Sequence, residues 1–158
     1  MKMSIEKVRT YLDKFNLADK ILEFASSSAT VELAAIAAGC EPARIAKTLS
    51  FKQGEACILI VTAGDRKIDN SKYKHFFSCK AKMLAADEVE PLTGHAIGGV
   101  CPFATQPQVK VYLDASLKQY TTVFPACGSS NSAIELTPEE LEQYSCNFQE
   151  WIDVCKEG

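Results

Sequence analysis

One lysine and two glycine-containing loops are where this 158-residue sequence could do chemistry. Lys47 sits in Ala46-Lys47-Thr48-Leu49-Ser50-Phe51, at the start of an otherwise apolar run of strand character. An ammonium in that place is either a solvated rim charge or a fixed cation facing a phosphate or a polarised carbonyl. Thr48 beside it reads first as an ordinary β-branched strand residue. The first loop is Gly94-His95-Ala96-Ile97-Gly98-Gly99-Val100-Cys101-Pro102-Phe103. Its adjacent glycines let backbone N–H groups approach a ligand closely, and its proline fixes the path. It is either a plain surface turn or a cradle for a carbonyl oxygen or phosphate. Its spacing is neither that of a P-loop nor that of a dinucleotide fingerprint.

The second loop is Ala126-Cys127-Gly128-Ser129-Ser130-Asn131. Cys127 stands there at a strand end, where a pocket wall would lie. A nucleophilic thiol needs a base within reach, and neither histidine, His75 or His95, has an evident partner. A buried or pocket-lining thiol is the simpler reading for Cys127, a structural role for His95, and a helix cap for Asp69.

Composition narrows the classes. There are seven cysteines, an odd number with no CxxC pair. His75 and Cys79 are one helical turn apart, but no second ligand pair completes a zinc site, so no metal is expected. Scattered free thiols fit a reducing compartment, and the expected location is the cytoplasm. No apolar run approaches the roughly 18–20 residues of a membrane helix, and residues 1–14 show no signal-peptide core. The net charge of −3 excludes a protein that coats nucleic acid by bulk charge. Its distribution is uneven. Residues 66–82 carry six basic side chains against one acidic, and residues 135–158 carry seven acidic against one basic. The basic stretch is either a solvated helix face or a contact for a few phosphates.

The elements that must position these residues follow from periodicity. Ile5, Val8, Leu12 and Phe15 predict an amphipathic helix over residues 4–16, with Ser4 as a cap. Residues 20–25 suit a short strand, and Ser26-Ser27-Ser28 a polar break. Thr30 caps an alanine-rich helix through Ala38 that Gly39 ends. Pro42 opens a helical turn before the strand at residues 46–51, and residues 55–63 form a buried central strand. Gly64-Asp65 is a turn, Asp69 or Asn70 caps a helix to about Phe77, and residues 81–84 form a short strand. Asp87 caps a helix to about Thr93, and residues 94–108 show no period. Strands follow at residues 109–113, 121–126 and 132–136, with a turn at residues 114–118. Thr137-Pro138-Glu139-Glu140 is a capping box that opens a last helix, and nothing definite is read beyond Ser145. The pattern predicts one α/β domain over residues 1–158, with a mixed, strongly curved β-sheet flanked by helices.

Taken together, several segments resemble the YbaK/EbsC family, which includes the insertion editing domain of bacterial prolyl-tRNA synthetases. They are Thr30-Val31-Glu32-Leu33-Ala34-Ala35, then Glu41-Pro42-Ala43-Arg44-Ile45-Ala46-Lys47-Thr48-Leu49-Ser50-Phe51, and Ala63-Gly64-Asp65-Arg66-Lys67-Ile68-Asp69. The 94–103 loop, Val111-Tyr112-Leu113-Asp114 and Ile134-Glu135-Leu136 complete the set. Any one is weak, but their order and spacing span most of the chain.

The resemblance implies a mixed-sheet α/β fold and a trans-editing deacylase that hydrolyses a mischarged aminoacyl ester on tRNA, with tRNA-Pro as the expected tRNA. It implies no metal, no cofactor and no protein nucleophile, with a ribose hydroxyl, water or the substrate's own side chain attacking. The partners would be the 3′ acceptor end of an aminoacylated tRNA and prolyl-tRNA synthetase. The family's lysine falls on Lys47, and its GxxxP loop on Gly98-Gly99-Val100-Cys101-Pro102. Lys47, Gly98 and Gly99 are the candidate catalytic residues. Thr48, Val100, Cys101, Pro102, Cys127, Gly128 and Ser129 are the candidate substrate-binding ones. Cysteinyl-specific members carry a Ser-Gly-Gly turn and an aspartate where this chain has Ala126-Cys127-Gly128 and Ala133. The alternative reading is a non-catalytic module of the same fold that grips a tRNA end or a nucleotide.

Overall fold

The computed structural model describes residues 4–25 and 30–158. The expected break at Ser26-Ser27-Ser28 lies outside them. In chain order the elements are α1 (Ser4–Asp13), β1 (Leu22–Glu23), α2 (Val31–Ala38), β2 (Ile45–Gln53), β3 (Ala56–Ala63) and β4 (Arg66–Ile68). Next come α3 (Asn70–Phe77), α4 (Ala86–Thr93), β5 (Lys110–Asp114), β6 (Phe124–Pro125) and β7 (Ser132–Ala133). The chain closes with α5 (Pro138–Tyr144), β8 (Phe148–Ile152) and β9 (Cys155–Glu157).

The apolar run Cys57-Ile58-Leu59-Ile60-Val61 places β3 at the centre of a five-stranded sheet ordered β6-β2-β3-β5-β8. β3 runs antiparallel to β2 and parallel to β5, and β8 is parallel to β5. An extra residue on β8 opposite Val111 and Leu113 shifts the register, and such irregularities bend a sheet. The sheet is mixed and curled, as expected.

Alternation along the strands builds two cores. Leu59, Val61, Val111 and Leu113 face α1, α5 and the long loops, packing with Val8, Leu12, Phe103 and Leu141. Ile58, Ile60 and Tyr112 face the other way onto Tyr73 of α3, Ile152 and Val154. Each such buried side chain contributes about 1.5–3 kcal/mol, against about 0–1 kcal/mol for an exposed ion pair. The ion pairs here, such as Lys72 with Asp153 at 3.2 Å, are largely exposed, so the two-faced sheet holds the fold.

The predicted caps stand where their chemistry demands. The Thr30 hydroxyl accepts from the Leu33 N–H, and Gly39 ends α2 at φ 70°. The Asp69 carboxylate accepts from the N–H groups of Ser71 and Lys72. Thr137 and Glu140 exchange hydrogen bonds across the first turn of α5.

Four expectations change. The first helix ends at Asp13, and Phe15 folds back onto Tyr11 and Tyr144. Asp87 lies inside α4, while Ala85 is the extended residue before it and the Glu88 carboxylate accepts from the Ala85 N–H. Residues 81–84 form only a bridge at Met83 to Phe51. Regular pairing in residues 121–126 and 132–136 shrinks to β6 and β7, with bridges at Val123–Leu136 and Ala126–Ala133. The unread C-terminal stretch supplies β8, an edge of the main sheet, and β9, which pairs with β4.

Candidate active site

A cavity of about 460 Å³ opens over β2, within the size range of pockets that enclose a small ligand. Ala46, Thr48 and Ser50 of β2 form part of its lining, and Val31 and Ala34 of α2 with Phe24 form another part. Ile97, Gly98 and Val100 contribute from the first glycine loop, Ala126, Ser129 and Ser130 from the second, and Ser132 and Ala133 from β7. Met83 and Ile97 are 57% and 66% exposed, which for large apolar side chains marks a mouth that a ligand or partner would cover.

Lys47 lines the cavity and is half-buried. Its ammonium donates to the Gly64 carbonyl at 3.5 Å and to the Arg66 carbonyl. These carbonyls flank the turn between β3 and β4. A Cβ on Gly64 would come within 2.2 Å of the Pro42 carbonyl oxygen, so only glycine lets this turn press against the start of β2. Burial holds the Lys47 pKa below the ordinary lysine value, and the nearby acids Asp65 and Glu32 oppose that shift. The result is a tethered cation whose charge is less costly to lose than that of a surface lysine.

The two glycine loops meet at backbone contact. A Cβ on Gly99 would stand 2.5 Å from the Gly128 carbonyl oxygen and 2.7 Å from its carbon. Gly128 itself, at φ +92°, is pressed against the backbone of Ser4 and Ile5 in α1. Gly98 adopts φ +90°, and the Gly99 N–H donates to the Ala96 carbonyl at 3.0 Å. Beneath the loop, His95 Nε2 donates to the Phe103 carbonyl at 2.7 Å and so ties the loop's ends together.

Cys101 Sγ lies 3.6 Å from the same nitrogen, a partner for His95 that the sequence did not reveal. This pair is not a nucleophile and base. Both residues are fully buried, and burial pushes the Cys101 thiol up to about 12 and holds His95 below its ordinary value. Burial likewise raises the Cys127 thiol well above its usual range.

Of the residues singled out from sequence, Lys47, Thr48, Gly98, Val100 and Ser129 line the cavity together. Gly99, Cys101, Cys127 and Gly128 are buried behind it, where the two loops touch. The buried Pro102 offers its carbonyl to the Cys146 N–H at 2.8 Å. Sequence reasoning missed the contributions of Phe24, Met83, Leu84 and Val89. They come from three separate places, Phe24, the adjacent pair Met83-Leu84, and Val89, and no local spacing links them to Lys47.

The Thr48 hydroxyl is buried and has no hydrogen-bond partner among the described residues. Leaving such a group unsatisfied costs about 1–3 kcal/mol. Thr48→Val is therefore expected to stabilise the protein by about 1 kcal/mol in denaturant melts. A Thr48→Val protein less stable than the parent would show that the hydroxyl is paired in solution.

Residues 25–144 match the aminoacyl-tRNA editing domain family, which is more than half of the chain. The chain belongs to this editing-domain family. It is 55% identical over 156 residues to the uncharacterized protein YwhH of Bacillus subtilis (strain 168), covering 98% of this chain and 99% of that protein. It is also 30% identical over 82 residues to the proline–tRNA ligase of Bacillus pumilus, which is 51% of this chain but only 14% of the ligase. Among solved structures, a candidate trans-editing enzyme for prolyl tRNA synthetase superposes with a TM-score of 0.84 at 29% identity. That match covers 100% of this chain and 99% of the other. The editing-domain fold is thus the fold expected from the sequence.

Proposed function

We propose that this protein is a trans-editing deacylase that hydrolyses the ester between a wrongly attached amino acid and the 3′ end of a tRNA, with tRNA-Pro as its tRNA. The observation that carries this reading is the convergence of Lys47 and the Gly98-Gly99 loop on one small cavity, in a chain of the editing-domain family. An ester carbonyl that turns tetrahedral develops negative charge, and fixed N–H groups and a tethered cation stabilise it. The Gly99 N–H is already engaged with Ala96, which leaves the N–H groups of Gly98 and Val100 as the loop's donors. Lys47 positions and polarises the aminoacyl end. The attacking oxygen comes from water, the terminal ribose or the substrate, because the nearby thiols of Cys101 and Cys127 are buried and held protonated. Hydrolysis consumes water and releases the amino acid and the free ribose hydroxyl.

The basic stretch then serves the tRNA phosphates. Lys72 is committed to Asp153 and to the Cys155 carbonyl at 2.9 Å, whereas Lys74 is exposed on α3 without an ion pair among the described residues. Charge reversal at Lys74 is expected to weaken tRNA binding and to reduce its salt slope by about 1. An unchanged slope removes α3 from the interface.

The deciding experiment uses tRNA-Pro charged separately with alanine, cysteine, serine and threonine. Accelerated release of at least one amino acid over the spontaneous rate is the expected result. Release of none overturns the deacylase reading and leaves the binding module of the same fold as the reading to test.

A further inference from the structure

The cavity sits at a break in the hydrogen-bonded edge of β2. On its inner edge β2 is paired with β3 along its length, from Ala46 opposite Ala63 to Gln53 opposite Ala56. On its outer edge it is paired at two places among the described residues. β6 pairs with Ile45 and Ala46. At the other end the Leu84 N–H donates to the Ser50 carbonyl at 3.3 Å, and the Lys52 N–H donates to the Lys82 carbonyl at 2.7 Å.

In an antiparallel pair, successive residues turn their main-chain groups alternately toward the partner strand and away from it. Ser50 and Lys52 turn theirs outward, so Thr48, two residues earlier, does the same. Its N–H and C=O face the open edge, and among the described residues neither has a main-chain partner. Among the described residues the gap comprises the Thr48 N–H and C=O and the adjoining Ser50 N–H, between Ala46, which pairs with β6, and the Ser50 carbonyl, which accepts from Leu84. The unpartnered Thr48 hydroxyl lies beside it, and Thr48 lines the cavity. An unsatisfied donor and acceptor on one strand residue, next to an unsatisfied hydroxyl, is an arrangement that a ligand completes.

We infer that the main chain of Thr48 is the seat of the substrate's own backbone: its C=O accepts from the α-ammonium of an aminoacyl group while its N–H donates to the ester carbonyl. An aminoacyl ester carries one donor and one acceptor across a single residue, which is what the open C=O and N–H of one strand residue, Thr48, can pair. Thr48 is thus a positioning residue. It selects a free α-amino acid ester over an N-blocked or hydroxy-acid ester whatever the side chain, and the side chain is left to the rest of the cavity. This rests on the deacylase reading for its substrate class.

The test compares alanyl-tRNA-Pro with N-acetylalanyl-tRNA-Pro and lactyl-tRNA-Pro, which have the ammonium blocked or replaced by hydroxyl. Loss of a hydrogen bond to a charged group predicts a fall in kcat/KM on the order of 10–100-fold for both analogues. Equal rates for all three overturn the inference and leave the deacylase reading standing. If alanyl-tRNA-Pro itself is not hydrolysed, the deacylase reading fails for alanine. The inference is then decided by titrating isotopically labelled protein with the non-hydrolysable 3′-alanylamido-adenosine and its lactyl counterpart. A shift of the Thr48 amide resonance, with weaker binding of the lactyl compound, supports the inference. An unmoved Thr48 amide, or absent or equal binding of the two compounds, overturns it.

Discussion

Replacing Lys47 with methionine is expected to lower kcat/KM for deacylation by about 100–1,000-fold, the usual cost of removing one electrostatic contact to a developing oxyanion. Methionine keeps the volume of the stem and removes only the ammonium. The fold should survive. The charge is held below its ordinary pKa by burial, so it carries a solvation cost in the folded state. That cost is felt fully below the folded pKa and is relieved as pH rises through it. At neutral pH the substitution removes the cost and also the two bonds to the Gly64 and Arg66 carbonyls. These effects oppose each other, and a Tm change of no more than about 2–4 °C is expected. Catalysis above the spontaneous rate should fall with rising pH before the ordinary lysine range is reached, because the charged form is lost early. Equal rates in parent and Lys47→Met would remove Lys47 from the mechanism, and an alkaline limb at the ordinary lysine value would remove the link to burial.

The second large effect is at Gly99. A methyl group there must share space with the Gly128 carbonyl group at 2.5–2.7 Å, and both partners are backbone. Gly128 cannot retreat, because it is already pressed on Ser4 and Ile5 of α1. Overpacking of this kind costs about 1–3 kcal/mol, so Gly99→Ala should lower Tm by roughly 2–12 °C. It should also displace Gly98 and Val100 from the cavity and reduce deacylation far more than the loss of folded protein explains. Gly54→Ala is the control for a general glycine effect: Gly54 lies in the β2–β3 turn, has φ +64°, and an added Cβ meets nothing within 4 Å. If Gly99→Ala behaves like Gly54→Ala in both stability and activity, the two loops are not locked together.

Much of this was legible in the sequence wherever the cause is local. Thr30, Gly39, Asp69 and Thr137 mark helix ends because their side chains or backbone satisfy orphan groups within a few residues. The run Cys57-Ile58-Leu59-Ile60-Val61 marks the central strand because only a strand covered on both faces tolerates continuous apolar residues. Lys47 and the Gly98-Gly99 pair were legible as candidates for the same reason. What escaped was set by tertiary contact. The Cys101–His95 approach depends on how a loop without periodicity folds back on itself. β8 is short and has two consecutive exposed residues, Gln149 and Glu150, so no period-two alternation announces it. Ala85 stands before α4 in place of Asp87 without a side-chain acceptor: its main-chain carbonyl accepts from the Glu88 N–H, and the Glu88 carboxylate accepts from the Ala85 N–H. The open edge at Thr48 is invisible in sequence, because it is defined by where neighbouring strands stop.

The segment shared with the editing-domain family ends at Tyr144, yet β8 and β9 lie beyond it. A protein trimmed to that segment would leave β5 with a bare row of N–H and C=O groups along one side, flanked by the buried Val111 and Leu113. Such an edge recruits strands from other molecules. Within the last fourteen residues it is β8 that covers this edge, so a chain trimmed at Tyr144 is expected to self-associate where the full chain does not.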